Sequence, residues 1–472
     1  MAVIVKRKKA LSVSPLKSSQ PVGASLAFLG MNRCIPMLHG SQGCTAFGKV
    51  FFVRHFREPI PLQTTAMDQV SSIMGADENI VEGLKNICEK SQPAMIGLPT
   101  TGLSETQGSD INMAVKMFRK KYPQFDPIKV IPVNTPDFTG SLETGYAAAV
   151  SAMIDQLVPE AEAAQTKPGK RLRQVNVLAG AMLTPGDIEE LKDMVELFGL
   201  RPVVIPDISD SLDGHLTEQE FSPITVGGTP TSEFLTLGDA VATLVVGASL
   251  FSAADVLKKR TGVVDYRFSS LLGMEAVDAL TMALVDISGN PVPEKIERHR
   301  AQLEDAMVDT HFMIGQSRIA IAAEPDMLFS FANFVAGMGA EVVTAVTSSN
   351  VALLKDIPAD EVQIGDLEDL ENSAELMRAQ LLIGNSHCAQ PSERLSIPLL
   401  RAGFPLYDQV GGFQRTWIGY RGTRQALFDM ANILLTNGSH DIEPYRSIYS
   451  VRQEDREGRD ERIAAFAARS AS

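Results

Sequence analysis

The residue best suited to chemistry in this sequence is Cys44, which lies in a stretch punctuated by Gly40, Gly43 and Gly48. Glycine lets the backbone approach a bound group closely. A basic and aromatic run that includes Arg54 follows the cysteine, and nearby positive charge favours the thiolate form. A thiolate can act as a nucleophile, a redox partner or a metal ligand, and these residues alone leave all three roles open.

Residues 43–49 also spell G-x-x-x-x-G-K, the beginning of a phosphate-binding loop. Val50 comes next, however, where such a loop needs a Ser or Thr hydroxyl to hold Mg²⁺. Residues 36–42 are also expected to make a poor buried strand, and a phosphate-binding loop requires one. We therefore expect no nucleotide at this position.

The other three cysteines are Cys34, Cys88 and Cys388. No two cysteines form a C-x-x-C pair, so the spacing suggests neither a zinc site nor a disulfide framework. We expect these three thiols to be buried and inert. His387 and Cys388 could bind a metal at a strand end, but an adjacent pair alone is a weak signal.

Length and charge limit the classes of protein to consider. A chain of 472 residues predicts about three domains. The net charge of −14 argues against nucleic acid or an anionic membrane as a partner. No apolar segment follows the basic residues 6–9, and the uncharged run 240–254 is shorter than a membrane span. We expect a soluble, cytoplasmic protein.

Alternating strand and helix patterns predict the elements that must position these residues. Short apolar runs at residues 93–98, 129–133 and 175–180 indicate buried strands, and helical periodicity follows them. Thr184 is a predicted helix N-cap, and Gly199 is the predicted end of the same helix. The result is an α/β fold with three parallel-sheet units at residues 1–170, 171–315 and 316–472, the last ending in a charged tail. Ligands bind such sheets at the loops that follow the strands.

Several motifs carry a family resemblance, and they follow one another over nearly the whole chain. They occupy residues 39–44 (HGSQGC), 54–59 (RHFREP), 100–105 (TTGLSE), 133–138 (VNTPDF), 384–387 (GNSH) and 411–413 (GGF). In this order they resemble the β-type chains of the nitrogenase molybdenum–iron protein family. The resemblance implies three Rossmann-like domains and an α-type partner in an α2β2 heterotetramer.

The departures from that family narrow the expected function. The resemblance implies that catalytic β-type chains hold their share of an eight-iron cluster with three cysteines. This chain keeps Cys44, whereas residues 60–62 (Ile-Pro-Leu) and Gly102 stand where the other two cysteines are expected. Iron–sulfur clusters are usually held by four thiolates, so Cys44 could supply one corner of a [4Fe–4S] cluster if the partner supplied three.

This pattern resembles the family members on which the iron–molybdenum cofactor is matured. It implies a non-catalytic scaffold subunit that pairs with a NifE-type α subunit, which would hold most of the cofactor precursor. The nitrogenase iron protein and a precursor donor would dock transiently. Two alternatives stay open: a catalytic β-type subunit with an altered cluster, and an α/β enzyme that uses a nucleotide or sugar phosphate. Arg54, His55 and Arg57 could either stabilise an anionic cluster or form ion pairs across a subunit interface.

Overall fold

The computed structural model describes residues 1–6, 14–216 and 222–437. Most of the basic run near the start and the whole charged tail lie outside these residues. Within the described ranges, no helix combines the length and the apolar character needed to cross a bilayer.

The described strands form three sheets in which every paired strand is parallel. In chain order the strands are β1 (Val3–Val5), β2 (Cys34–Leu38), β3 (Gln63–Thr64), β4 (Met95–Pro99), β5 (Lys129–Val133), β6 (Arg171–Ala179), β7 (Arg201–Ile205), β8 (Ala240–Val246), β9 (Asp265–Phe268), β10 (Arg318–Ala322), β11 (Glu341–Thr347), β12 (Glu361–Ile364), β13 (Leu381–Gly384) and β14 (Leu399–Arg401). The first sheet has the order β3-β2-β4-β5, the second β7-β6-β8-β9, and the third β1-β12-β11-β10-β13-β14.

Helices connect and cover these strands. They are α1 (Gln20–Leu29), α2 (Gln42–Phe56), α3 (Gln69–Met74), α4 (Asp77–Ser91), α5 (Gly102–Gln107), α6 (Ile111–Lys121), α7 (Leu142–Leu157), α8 (Ala161–Ala164), α9 (Pro185–Leu197), α10 (Ile208–Ser211), α11 (Phe251–Thr261), α12 (Met274–Ser288), α13 (Glu294–Ile314), α14 (Pro325–Gly337), α15 (Leu367–Leu376), α16 (Ala389–Leu395) and α17 (Gly419–Asn437).

The predicted α/β class is confirmed, and the reason lies in the strand sequences. β2 and β4 are buried along their whole length, as strands are when helices cover both faces of a parallel sheet. The Thr184 side chain accepts a hydrogen bond from the backbone N–H of Asp187 at the start of α9. Gly199 follows the helix with a φ of +77°, so both predicted ends of this helix are confirmed.

The N-terminal strand differs from the expected organisation. β1 pairs with β12 (Val3 opposite Glu361), so the first residues complete the third sheet although they precede the first one in sequence. A local periodicity does not reveal such a long-range pairing. The domain limits near residues 170 and 315 remain a prediction.

One expectation about the Cys44 region is wrong. β2 is a fully buried strand directly before the glycine-rich stretch, although its proline and its polar continuation argued against a strand. Residues 43–49 then lie inside α2, whereas the equivalent residues of a phosphate-binding loop would lie between strand and helix. The absence of a phosphate loop therefore follows from the helical backbone as well as from Val50.

Two glycines let α1 and α7 pack backbone against backbone beneath the first sheet. A Cβ atom on Gly23 would lie 1.9 Å from the carbonyl oxygen of Leu142, and one on Gly145 would lie 2.0 Å from that of Gln20. α1 is buried along its whole length as a result. The contact fixes the beginning of α7, which carries an acidic residue discussed below.

Candidate functional site

Cys44 is exposed, as a metal ligand shared with another chain must be. It is the third residue of α2, which begins at Gln42 after the N-cap residue Ser41. The Ser41 hydroxyl lies 3.4 Å from the Cys44 Sγ atom. The first backbone N–H groups of a helix have no partner within the helix and favour a negatively charged group. The location therefore leaves the thiol accessible to a metal or to a second chain.

The loop before α2 is held by close packing against the loop after β4. A Cβ atom on Gly40 would lie 2.4 Å from the Thr101 Oγ1 atom, so this position requires glycine. The Thr101 hydroxyl donates a hydrogen bond to the His39 carbonyl oxygen at 2.9 Å. The two loops that follow β2 and β4 thus form one rigid unit beneath Cys44.

His39 extends this unit to a third loop, and sequence reasoning did not single it out. Its ring is fully buried; Nδ1 lies 2.9 Å from the Thr65 hydroxyl and Nε2 lies 3.0 Å from the Ser109 hydroxyl. Burial lowers the pKa of His39 to about 4, so the ring is neutral at physiological pH. The only sequence signal was its place at the end of a strand, beside the glycine-rich stretch.

Gly102 lies at the first position of α5, in the same loop unit. Its backbone N–H donates a hydrogen bond to the Asp137 Oδ2 atom at 2.8 Å. A Cβ atom at this position would lie 3.3 Å from the Asp137 carboxyl group. The Asp137 carboxyl group thus lies against the position at which the family resemblance placed a further thiol.

The other three cysteines are buried, as expected. Burial raises the pKa of Cys34 above its ordinary range, that of Cys88 to about 11 and that of Cys388 to about 12. They remain protonated thiols at neutral pH, and Cys388 therefore does not form a thiolate pair with His387. Cys44 is the exposed thiol of the part of the chain that the structure describes.

An exposed apolar surface, which we name the apolar rim, surrounds the site. Its residues all follow strands of the first sheet at the carboxyl edge: Phe47 and Val50 on α2, Val70, Ile73 and Met74 on α3, Leu103 on α5, and Phe138 after β5. Ile73 and Met74 are 82% and 80% exposed. Apolar side chains concentrated in this way mark an interaction surface, and helical spacing places Phe47 on the same face of α2 as Cys44.

The basic residues at the other end of α2 contact another part of this chain. At 1.5 Å per residue, Arg54 lies about 15 Å along the helix from Cys44 and Arg57 about 20 Å. The Arg57 guanidinium donates to the Tyr407 carbonyl oxygen at 3.1 Å, and the Arg54 guanidinium lies 4.3 Å from the Tyr407 ring centre. These contacts anchor α2 to the segment after β14.

His55 completes this anchor and is a structural residue. Its Nδ1 atom accepts a hydrogen bond from the buried backbone N–H of Leu406 at 2.9 Å. Burial lowers the pKa of His55 to about 3, so the ring carries no charge that could stabilise a cluster. His387 lies nearby, with its ring 5.9 Å from that of Phe51 and 5.8 Å from that of Tyr407. Burial lowers its pKa as well.

The donor set fits a shared cluster and does not fit a complete one. No group of three or more His, Cys, Asp or Glu side chains within the described ranges could hold a metal ion. Cys44 is a soft, exposed donor of the type that iron–sulfur clusters require. The hydroxyl of the neighbouring Thr45 is buried and has no hydrogen-bond partner in the described part of the chain. The residues therefore fit one corner of a cluster whose other ligands come from elsewhere.

Relatives of this chain show the family to which it belongs. The sequence profile of the nitrogenase component 1 type oxidoreductase family matches residues 19–435. The chain is 44% identical over 447 residues to the nitrogenase iron-molybdenum cofactor biosynthesis protein NifN of Klebsiella pneumoniae, covering 95% of this chain and 96% of that protein. It is 45% identical over 436 residues to the NifN protein of Nostoc sp. strain PCC 7120, covering 92% and 96%.

Solved structures confirm the predicted fold class. A chain of a nitrogenase described as Cp1 at pH 6.5 superposes with a TM-score of 0.85 at 30% identity, covering 94% of this chain and 98% of that one. A chain of Cp1 at pH 5 superposes with a TM-score of 0.69 at 12% identity, which shows the fold alone. The family resemblance inferred from the ordered motifs is confirmed as well.

Proposed function

We propose, because the chain belongs to the nitrogenase component 1 type oxidoreductase family, that it is a scaffold subunit for maturation of the iron–molybdenum cofactor. In this role Cys44 supplies one ligand to a [4Fe–4S] cluster shared with a NifE-type α subunit. The relatives named as cofactor biosynthesis proteins support the scaffold role. The chain would act in the cytoplasm as part of an α2β2 heterotetramer and have no turnover of its own.

The observation that carries the proposal is an exposed thiol at a helix N-terminus next to the apolar rim. The rim gives a partner chain an apolar surface to cover. A cluster at this boundary would be enclosed by both chains. One thiol leaves three corners of a four-iron cluster for the partner to fill.

A further observation supports placing the cofactor precursor mainly on the partner. One internal cavity, lined by residues such as Leu26, Met182 and Met327, has a volume of about 50 Å³. That is room for one or two water molecules, whereas a cluster of seven or eight irons is far larger. This cavity therefore has no room for the precursor.

The cluster, when bound, would supply one-electron transfer to the maturing cofactor. The residues of this chain would hold it in place and exclude water. Cys44 would bind iron, while His39 and Thr101 fix the loops that carry the thiol. The apolar rim would be covered by the partner, and the nitrogenase iron protein and precursor donor would dock transiently on the assembled complex.

The test is the iron content and electron paramagnetic resonance spectrum of the co-purified complex, for the wild type and Cys44→Ala. We expect the substitution to remove or convert about one [4Fe–4S] signal per αβ interface while the two chains remain paired. Cys88→Ala is the matched control, because it removes a buried thiol from α4 and should leave both the iron content and the spectrum unchanged.

An unchanged spectrum in Cys44→Ala would show that Cys44 is not a ligand. Eight irons per interface, or substantial dinitrogen reduction by the purified complex, would instead favour a catalytic β-type subunit with an altered cluster. The absence of a thiol at Gly102 disfavours that alternative.

A further inference from the structure

Three carboxyl groups meet where the three sheets join, far from the cysteine site in sequence. Glu143 lies in the first turn of α7, below the first sheet, and Asp326 lies in the first turn of α14, beside the third. The backbone N–H of Asp326 donates to both carboxyl oxygens of Glu143, at 3.1 and 3.2 Å. Ser249, which follows β8 of the second sheet, donates to Asp326 Oδ2 from its N–H at 3.1 Å and from its hydroxyl at 2.6 Å.

Glu324 adds the third carboxyl group, immediately before α14. It accepts hydrogen bonds from the hydroxyls of Ser141 and Ser348, the latter at 3.1 Å. Ser141 precedes α7 and Ser348 follows β11, so this carboxyl also joins the first sheet to the third. Glu143 and Asp326 are almost completely buried. Hydrogen bonds to carboxyl oxygens therefore carry the contact between the layers at this point.

We propose that Glu143, Glu324 and Asp326 form a proton-dependent latch, which tightens the contact between the three sheets while the carboxyls hold protons and loosens it locally when they ionise. Three ionised carboxylates this close would repel one another in a medium of low dielectric constant. Protonation removes that repulsion. The latch is independent of Cys44 and of any cluster.

The charges around the latch do not neutralise it. Lys17 is the cation that faces Glu324, and it also donates to the Asp137 carbonyl oxygen at 3.0 Å. Its own pKa is lowered, mainly by burial. The other titratable groups that line the adjoining spaces are His55, which is neutral, and Asp356, which adds negative charge. One partly buried lysine therefore faces three carboxyls in the described part of the chain.

Burial sets the pH range over which the latch responds. It raises the pKa of Glu324 to about 7 and that of Asp326 above its ordinary value. It also raises the pKa of Glu143 well above its ordinary value, and the negative charges of Asp326 and Glu324 raise it further. The closed junction thus binds protons that an open, hydrated junction would release. Closure is fully favoured below about pH 4.5, the ordinary value of a glutamate, and weakens as the pH rises through 7 and beyond.

Opening would change the internal space of the protein. Glu143 and Glu324 line the internal cavity of about 50 Å³, and Glu143 and Asp326 line a groove of about 640 Å³ on the other side. Val351, Phe251 and Ala148, one from each layer, also line that groove. The carboxyl cluster is therefore the wall between an interior cavity and an open groove, and its release would join the two.

Hydrogen–deuterium exchange of the full-length protein, in the assembly in which it purifies, tests the latch between pH 5.5 and 8.5. Opening constants are obtained for residues 247–252 and 322–330 after correction for the intrinsic exchange rate at each pH. We expect them to rise with pH, by up to roughly tenfold per pH unit for each proton released. Glu143→Gln combined with Glu324→Gln keeps the side-chain shapes and should abolish the rise.

Two controls keep the test decisive. Glu189→Gln makes the same change at an exposed position of α9 and should retain the wild-type slope. β6 provides an internal reference in the wild type, because its opening constant should not rise with pH as that of the junction does. An equal slope in β6, no slope at the junction, or an unchanged slope in the double variant would overturn the proposal. If the double variant does not fold, the wild-type comparison between the junction and β6 decides alone.

Discussion

Replacing His55 with phenylalanine separates its hydrogen bond from its packing. The ring packs edge-on against Phe56 and Phe404, with centre-to-centre distances of 4.5 and 4.9 Å. Phenylalanine keeps a ring in this cluster but cannot accept the hydrogen bond from the buried N–H of Leu406. An unsatisfied buried donor costs about 1–3 kcal/mol. We therefore expect His55→Phe to lower the free energy of unfolding by that amount at pH 8.

The pH dependence of this deficit follows from the buried, neutral imidazole. Because the pKa of His55 is lowered from 6.5 to about 3, the unfolded chain binds a proton at a pH where the folded chain does not. The stability from the neutral ring is fully present above pH 6.5 and is lost as the pH falls toward 3. Each unit below 6.5 corresponds to about 1.4 kcal/mol, which gives about 2 kcal/mol at pH 5. The phenylalanine variant lacks this loss, so its deficit should shrink by about 2 kcal/mol between pH 8 and pH 5.

Urea unfolding at several pH values, followed by the fluorescence of the single tryptophan, measures this difference. Trp417 is buried and packs edge-on against Phe331, with ring centres 5.1 Å apart, so its emission reports on the folded core. Phe56→Leu is the matched control, because it alters the same aromatic cluster without removing a titrating group, and its deficit should not change with pH. The titration of the latch carboxyls changes the free energy of unfolding of wild type and His55→Phe equally, so it cancels in the difference between them. A constant gap between wild type and His55→Phe from pH 8 to pH 5 would refute the assignment of His55 as a buried neutral ring.

Two further outcomes test the surroundings of Cys44. Gly40→Ala places a Cβ atom 2.4 Å from the Thr101 Oγ1 atom and should destabilise the fold by about 1–3 kcal/mol. Gly43→Ala places a Cβ atom 3.9 Å from its nearest neighbour, the Ser41 Oγ atom, and should be neutral or stabilise α2 by up to about 1 kcal/mol. Thermal unfolding of both variants distinguishes the two, and equal effects would contradict the close packing. Phe47→Ser combined with Ile73→Ser should leave the unfolding midpoint unchanged and reduce the recovery of the α-type chain in affinity co-purification. Full recovery would show that the apolar rim is not the partner interface.

Local sequence patterns predicted much of the fold because their causes are local. The cap at Thr184 and the stop at Gly199 depend on residues within one or two turns of the helix, and both are confirmed. The buried strands were visible as short apolar runs. β2 was misjudged because Pro36 pairs on one side only, with Gly97 of β4, whereas β3 begins opposite Met37; a proline is tolerated where no ladder hydrogen bond is needed. The pairing of β1 with β12 joins residues more than 350 positions apart and leaves no periodic signal.

The same distinction between local and long-range contacts applies to the residues of the site. Cys44 and its glycines could be found because they are adjacent in sequence, although its ligand role stays a prediction. The contacts that support it are not adjacent, because His39 reaches Ser109 across 70 residues and His55 reaches Leu406 across 351. A histidine of this kind is indistinguishable in sequence from a ligand or a base. Only its burial and the N–H or hydroxyl that it faces identify it as a neutral structural group.

The two ends of α2 have different roles, one in function and the other in stability. Its first turn is exposed and carries Cys44, whereas its last turn is fixed to the third-sheet layer through His55, Arg57 and the ring of Phe52, which lies 5.7 Å from that of Phe404. Substitutions at the last turn should therefore act on stability, and those at the first turn on metal binding and partner recognition. A helix anchored at one end offers its thiol in a fixed position, so a partner would meet a preformed ligand and would not have to order a flexible loop at the cost of binding free energy.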